Sequence, residues 1–210
     1  MPGMDSLPPD PYAITTPEQL AEHYAPPGPV VLRKVSPVVD ATAAAFIAHS
    51  PFCVLSTVGG RGAHGTPRGD APGFVAVLDE RTLALPDRRG NNRIDALRDV
   101  LDDPRVALLF LVPGSGETLR VAGLARLTAD PALRARLAVE GREPATVMLI
   151  EVREVFMQCR RAVARAKLWP CDARPAGTPT PGQMIAAHTG GMVEAAEVDA
   201  HSPDLEKHLY

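Results

Sequence analysis

With 210 residues, 45% of them apolar and 22% charged, the chain has ordinary globular composition and is long enough for one sizeable domain with terminal additions. A formal net charge of -3 argues against general affinity for nucleic acid or anionic lipid, and no apolar run approaches the ~20 residues that cross a bilayer. Cys53, Cys159 and Cys171 lack CxxC spacing and suit reduced thiols rather than disulfides or structural zinc, and Met1 to Tyr12 has Pro and Asp where a signal peptide needs an apolar stretch, so a cytoplasmic protein is expected.

Residues 1–50 read as a helical lead-in. Thr16-Pro17-Glu18-Gln19 carries a capping-box pattern that predicts a short helix to about Tyr24, and Pro26-Pro27-Gly28-Pro29 breaks it. Ser36-Pro37 then opens a second helix carrying Val39, Ala43, Phe46 and Ile47, which Ser50-Pro51 ends. From residue 51 the pattern turns to strands. Phe52 to Val58 is a β-rich run closed by Gly59-Gly60-Arg61-Gly62, with a return strand to about Arg68. Phe74 to Leu78 and Thr82 to Leu85 flank Asp79-Glu80-Arg81 as a second hairpin. Arg93 to Leu101 follows as a helix, with Ile94, Leu97, Val100 and Leu101 on one face.

Val106 to Val112 is a continuous apolar strand expected to be buried on both sides, and Pro113-Gly114-Ser115-Gly116 ends it. Leu119 to Leu127 resumes the strand pattern, Asp130-Pro131 to about Val139 reads as a helix, and Val147 to Val152 is a last strand. Six or seven short antiparallel strands with one helix between the fourth and fifth imply a mainly β, closed or nearly closed barrel over residues 51–158, with peripheral helices. Residues 159–210 form a Pro- and Gly-rich extension with one possible helix near Met184 to His188 and an acidic tail.

Two segments carry the chemistry. Leu85-Pro86-Asp87-Arg88-Arg89-Gly90-Asn91-Asn92-Arg93 is a polar turn running into a helix, where free N–H groups and the dipole favour a phosphate and Arg88, Arg89 and Arg93 add bidentate donors. The same residues also fit a solvated loop with an Asn cap. Gly65-Thr66-Pro67-Arg68-Gly69-Asp70 interrupts its strand with Gly and Pro, which lets backbone approach a ring system, while Arg68 supplies a cation that Asp70 could hold in position. His64 on the same strand could donate a hydrogen bond. GxGxxG, GxxxxGK[ST], HExxH and GxSxG are all missing, so dinucleotide sheets, P-loops, zincins and hydrolase elbows lack their minimum signals, and Gly114-Ser115-Gly116-Glu117 is read as a turn.

In this order, the segments resemble the pyridoxamine 5'-phosphate oxidase-like flavoproteins: a strand, a Gly turn, a strand carrying Arg, a hairpin, a Gly-polar-basic turn opening a helix, then Asp103-Pro104-Arg105-Val106 before an apolar strand. The resemblance covers about Phe46 to Val152 and implies an FMN-binding split β-barrel, a homodimer with flavin at the subunit interface, and oxidoreductase activity on a small-molecule substrate. It implies cofactor contacts from Arg68, Gly69, Asp70, Pro86, Asp87 and Arg88, with Asn91, Asn92 and Arg93 on the FMN phosphate. Lys167 and Trp169 of a partner subunit would cover the ring or the phosphate, with the extension packing at the dimer interface. The strand ending Pro67-Arg68-Gly69-Asp70 lacks the Lys with which the family contacts its vitamin substrate, so a divergent branch is implied. The alternative is a module holding flavin, haem or deazaflavin without turnover, since fold alone does not decide function.

Overall fold

The computed structural model describes residue 8 and residues 10–90, 92–170 and 174–201. Within them, seven strands form one antiparallel sheet: β1 (Phe52–Gly59), β2 (Gly62–Gly69), β3 (Ala76–Asp79), β4 (Thr82–Pro86), β5 (Arg105–Leu111), β6 (Thr118–Thr128) and β7 (Val147–Gln158), ordered β2-β1-β5-β6-β7-β4-β3. The long pair β6·β7 is the spine. The first half of β6 pairs with β5 and the first half of β7 pairs with β4, so the sheet divides into two wings at opposite ends of one ribbon. The register shift between Ala122 and Gly123 marks the bend, where a Cβ on Gly123 would collide with the Glu151 carbonyl. This is a mainly β split barrel, as expected, with α4 (Asp95–Asp102) as the helix between the fourth and fifth strands.

Period-2 patterning explains which face is inside. Cys53, Leu55, Leu108, Phe110, Leu119, Val121, Ile150 and Val152 are buried and meet across the sheet. The run Val106 to Val112 does not follow the expectation of burial on both sides, because Ala107, Leu109 and Leu111 are only half-buried. Their cross-strand neighbours on the same outer face include Phe52 and Val54 on β1 and Ala122 on β6, an apolar outer strip interrupted by Ser56 opposite Ala107 and Arg120 opposite Leu109.

The described part of the lead-in holds three helices, α1 (Pro17–Ala21), α2 (Pro29–Arg33) and α3 (Ala41–His49). The expected capping box at Thr16 forms, while Pro29, read as a breaker, sits at the first turn of α2, where a missing N–H costs nothing. Ser36 does not open α3. It bridges to Val155 on β7, and Asp40 caps the helix by accepting from the Ala43 N–H at 2.8 Å. Two further helices, α5 (Pro131–Arg136) and α6 (Arg161–Ala166), flank β7 in sequence. The extension forms α7 (Pro181–His188) and α8 (Ala195–His201), clamped where Gly182 lies against the Ala195 carbonyl with no room for a side chain. α8 falls in what the sequence presented as a polar, acidic tail.

Candidate functional site

β2 is an edge strand of the sheet, and the segment that follows β4 runs back along it. The two are tied at both ends. At one end Arg68 Nη1 donates to Asp87 Oδ1 at 3.3 Å and Arg88 Nε donates to Asp70 Oδ2 at 2.6 Å, an exchange of partners between the end of β2 and the turn. At the other end Arg61, in the β1–β2 hairpin, and Arg93 both bond the Asp95 carboxylate at the start of α4. The expectation that Asp70 holds Arg68 is therefore corrected. Asp70 takes Arg88, because the turn brings that guanidinium level with the residue just after β2, and Arg68 turns to Asp87.

The turn is fixed by backbone as well. Pro86 is buried and paired with Val147, Asp87 N–H donates to the Thr146 carbonyl at 3.0 Å, and Arg88 Nη1 donates to the Leu137 carbonyl at 2.8 Å. Gly90 has open space where a Cβ would stand, and Asn92 takes a left-handed backbone that Asn tolerates better than most residues. Asn91 lies outside the described residues, as do Cys171 and the tail from residue 202. The helix begins later than expected, at Asp95 rather than Arg93, because Ile94 adopts φ 49° and leaves helical geometry. Asp95 thus occupies the first turn, and hydrogen bonds from Arg61 and then Arg93 hold its carboxyl below the ordinary value.

The buried face of α4 also differs from the expected one. Ile94 and Leu101 are exposed, and Ala96, Asp99 and Val100 pack inward. Asp99, 2% exposed, accepts from Thr57 Oγ1 at 2.6 Å and meets His64 Nδ1 at 2.6 Å, with Gly59 so close that a Cβ there would collide with its carboxylate. Burial raises the Asp99 pKa, but hydrogen bonds from Thr57 and His64 outweigh it and the net shift is downward. Sequence reading missed this cluster. The available signal was an Asp three residues after Ala96, on the stripe that must face the sheet.

The corridor from Arg68 to Arg93 collects four arginines, Arg61, Arg68, Arg88 and Arg93, against three carboxylates, Asp70, Asp87 and Asp95. Arg68 Nε is buried without a hydrogen-bond partner in the structure, so a donor remains beside Gly69. Burial pushes the Cys53 thiol, opposite Arg68 on β1, up to about 12 despite the nearby guanidinium. Lys167 and Trp169 stand elsewhere. Lys167 ends α6 in a left-handed conformation and is exposed, while Trp169 Nε1 donates to the Ser115 carbonyl of its own chain at 2.7 Å. Ser115 and Glu117, read as an ordinary turn, are buried, and Glu117 accepts from Ser115 Oγ at 3.1 Å and pairs with Arg174. Among the described residues there is no cluster of His, Cys, Asp and Glu suited to a metal ion and no helix long and apolar enough to cross a membrane.

A family model described as pyridoxamine 5'-phosphate oxidase matches residues 39–159, which include the whole corridor. Solved structures similar to the chain include a histidine-to-alanine variant of HupZ from Group A Streptococcus, with 14% identity, TM-score 0.48, and 57% of this chain aligned with 99% of that one. General Stress Protein 26 from Bacillus anthracis is similar at 19% identity and TM-score 0.40, over 53% of this chain and 87% of that one. An F420 reductase is similar at 21% identity and TM-score 0.39, over 54% and 93%. No curated protein matches the chain.

Proposed function

Because the chain belongs to the pyridoxamine 5'-phosphate oxidase family, whose model spans residues 39–159 of its 210, we propose that it is an FMN-dependent oxidoreductase acting on a small organic substrate. One observation carries the reading: the corridor beside β2 sets four guanidinium groups against three carboxylates and keeps the buried Arg68 Nε as an unused donor. A phosphate monoester is an anion that guanidinium groups bind through paired, charge-assisted hydrogen bonds. The donor set fits FMN.

In this reading Arg88, Asn92 and Arg93 hold the phosphate, and Arg68, Gly69 and Asp70 face the ring system. Pro86 and Asp87 fix the turn through the Val147 pairing and the Thr146 carbonyl. Bound FMN would supply the hydride or electron transfer, so the protein's own work is orientation, charge and exclusion of water. No side chain has to act as an acid. Asp70 and Asp87 keep Arg88 and Arg68 in fixed positions, which lowers the ordering cost of meeting an anion.

We further infer a homodimer with the flavin at the subunit interface. The apolar outer strip of Phe52, Val54, Ala107, Leu109, Leu111 and Ala122 supports that surface, and exposed Lys167 could reach a neighbouring site. A reducing, cytoplasmic setting is supported by the free thiols of Cys53 and Cys159.

The test is spectroscopic. Purified protein, or protein incubated with FMN and desalted, should be yellow and release FMN on denaturation. Reduction with NADPH and re-oxidation in air should bleach and restore the flavin bands. Failure to retain FMN, or a Soret or deazaflavin spectrum instead, would overturn the cofactor; bound flavin that never cycles would overturn the enzyme.

A further inference from the structure

A concavity lies away from the corridor, where α7 and α8 pack over the end of β7. Its volume is about 360 Å³, at the small end of the range for ligand sites. Met157, Cys159, Pro181, Ile185 and Val198 give it a mostly apolar wall. Much of this wall comes from outside the family-matched residues, so the site belongs to what this chain adds to the barrel.

One charged group sets its chemistry. Lys34, at the end of α2, lines the cavity and is only 9% exposed. Its Nζ rests over the Phe156 ring, 4.4 Å from the centroid, and no carboxylate pairs with it among the described residues. The other charged groups at the cavity leave it so. Glu117 is committed to Arg174 and Ser115, and Glu197 and His201 stand exposed at the rim. A largely desolvated ammonium without a counterion is costly, and a bound anion would offset that cost. Burial accordingly lowers the Lys34 pKa, with Cys159 nearby opposing the shift.

We propose that this cavity binds a small amphipathic carboxylate, with its apolar body between α7, α8 and β7 and its carboxylate paired with Lys34. An apolar wall alone would accept a neutral molecule equally well. The Lys34 ammonium favours an acid, because a carboxylate gives it a charge-assisted partner that a neutral molecule does not. The proposal stands whether or not the corridor binds FMN, since the two share no residue.

The experiment is calorimetric titration of the full chain with decanoate and with naphthalene-2-carboxylate, and with decanol as the neutral control. At least one acid should bind in a one-to-one complex, and decanol more weakly. Lys34→Met should weaken the acid by about 30-fold or more while leaving decanol unchanged, the scale of removing one partner of a buried charge pair. Val198→Phe, which fills the cavity, should abolish binding of both. Because Lys34→Met removes a buried charge, the unliganded variant should melt no lower than wild type. If neither acid binds, if Lys34→Met binds the acid as well as wild type, or if Val198→Phe retains full affinity, the proposal is overturned. Should Lys34→Met fail to fold, Val198→Phe and the acid-to-alcohol preference of wild type decide the matter alone.

Discussion

Arg88 Nε donates to Asp70 Oδ2 at 2.6 Å, joining the end of an edge strand to the turn that leads into α4. The same guanidinium reaches the Leu137 carbonyl, so one side chain fastens three segments. Arg88→Ala should cost about 1 to 3 kcal/mol of stability by leaving both acceptors partly buried and unpaired. Arg88→Lys should recover only part, since an ammonium cannot span the two acceptors in the fixed fork geometry. Urea unfolding of the three proteins measures this, and wild-type stability in Arg88→Ala would show that the tie is solvated.

The barrel and the corridor were legible for different reasons. Phe52 to Val58 is β-rich and closed by a Gly turn, Leu119 to Leu127 alternates imperfectly, and Asp102-Asp103-Pro104 stops the helix before the next strand, so the strands could be read from residue types. The turn from Pro86 to Arg93 was found because its residue types carry charge. Which carboxylate each arginine takes was not legible, because Arg68 and Asp70 are near in sequence while the fold brings Asp87 and Arg88 alongside. Lys34 and Asp99 were missed for one shared reason: each is polar in sequence and buried only by tertiary packing.

Thiol reactivity should divide the two described cysteines. Cys53 is fully buried with its pKa raised to about 12, so at pH 8 almost none of it is thiolate, whereas Cys159 is exposed. Native protein should therefore react quickly with iodoacetamide at Cys159 and not at Cys53, and Cys53 should become reactive in denaturant. Peptide mass mapping reads both sites. Rapid native labelling of Cys53 would mean that β1 opens.

Gly59 tests the docking of α4. A Cβ there would meet the Asp99 carboxylate and also press on its Cα, so Gly59→Ala must displace either the helix or the Thr57–Asp99–His64 cluster. The expected loss is about 2 kcal/mol, in the range of overpacking a close contact. Gly90→Ala, where nothing stands within 4 Å, is the control and should change stability little. Equal effects of the two would remove the steric argument.

The proposed cofactor contacts predict a graded series. Arg68→Ala loses the unused Nε donor and leaves Asp87 partly buried without its partner, while Arg93 is 70% exposed and screened. Both should weaken FMN binding, Arg93→Ala by ~1 to 3 kcal/mol and Arg68→Ala by at least as much. Fluorescence quenching of FMN on titration measures the affinities. An unchanged value in either variant removes that residue from the site.

Acid stability should depend on Asp40, which caps α3 and lies 3.4 Å from His188 Nε2 on α7. Burial alone would raise its pKa, but the neighbouring His188 ring and hydrogen bonds from the Ala43 N–H and Thr42 hydroxyl bring it from 3.8 to about 2. A carboxyl whose folded pKa lies below its unfolded one stabilises the fold above the unfolded value and loses that stabilisation as pH falls towards the folded value. The window is therefore about pH 4 down to pH 2; ~1.4 kcal/mol per unit gives an upper bound of about 2.5 kcal/mol, which solvent screening of this half-buried carboxyl lowers to about 1 to 2 kcal/mol. Asp40→Asn should be less stable than wild type by roughly that amount at pH 5, and the gap should close by pH 2, where the native carboxyl is itself becoming neutral. Chemical denaturation at stepped pH reads the difference, and a gap that stays constant from pH 5 to pH 2 would show that charge on Asp40 contributes nothing to joining α3 and α7.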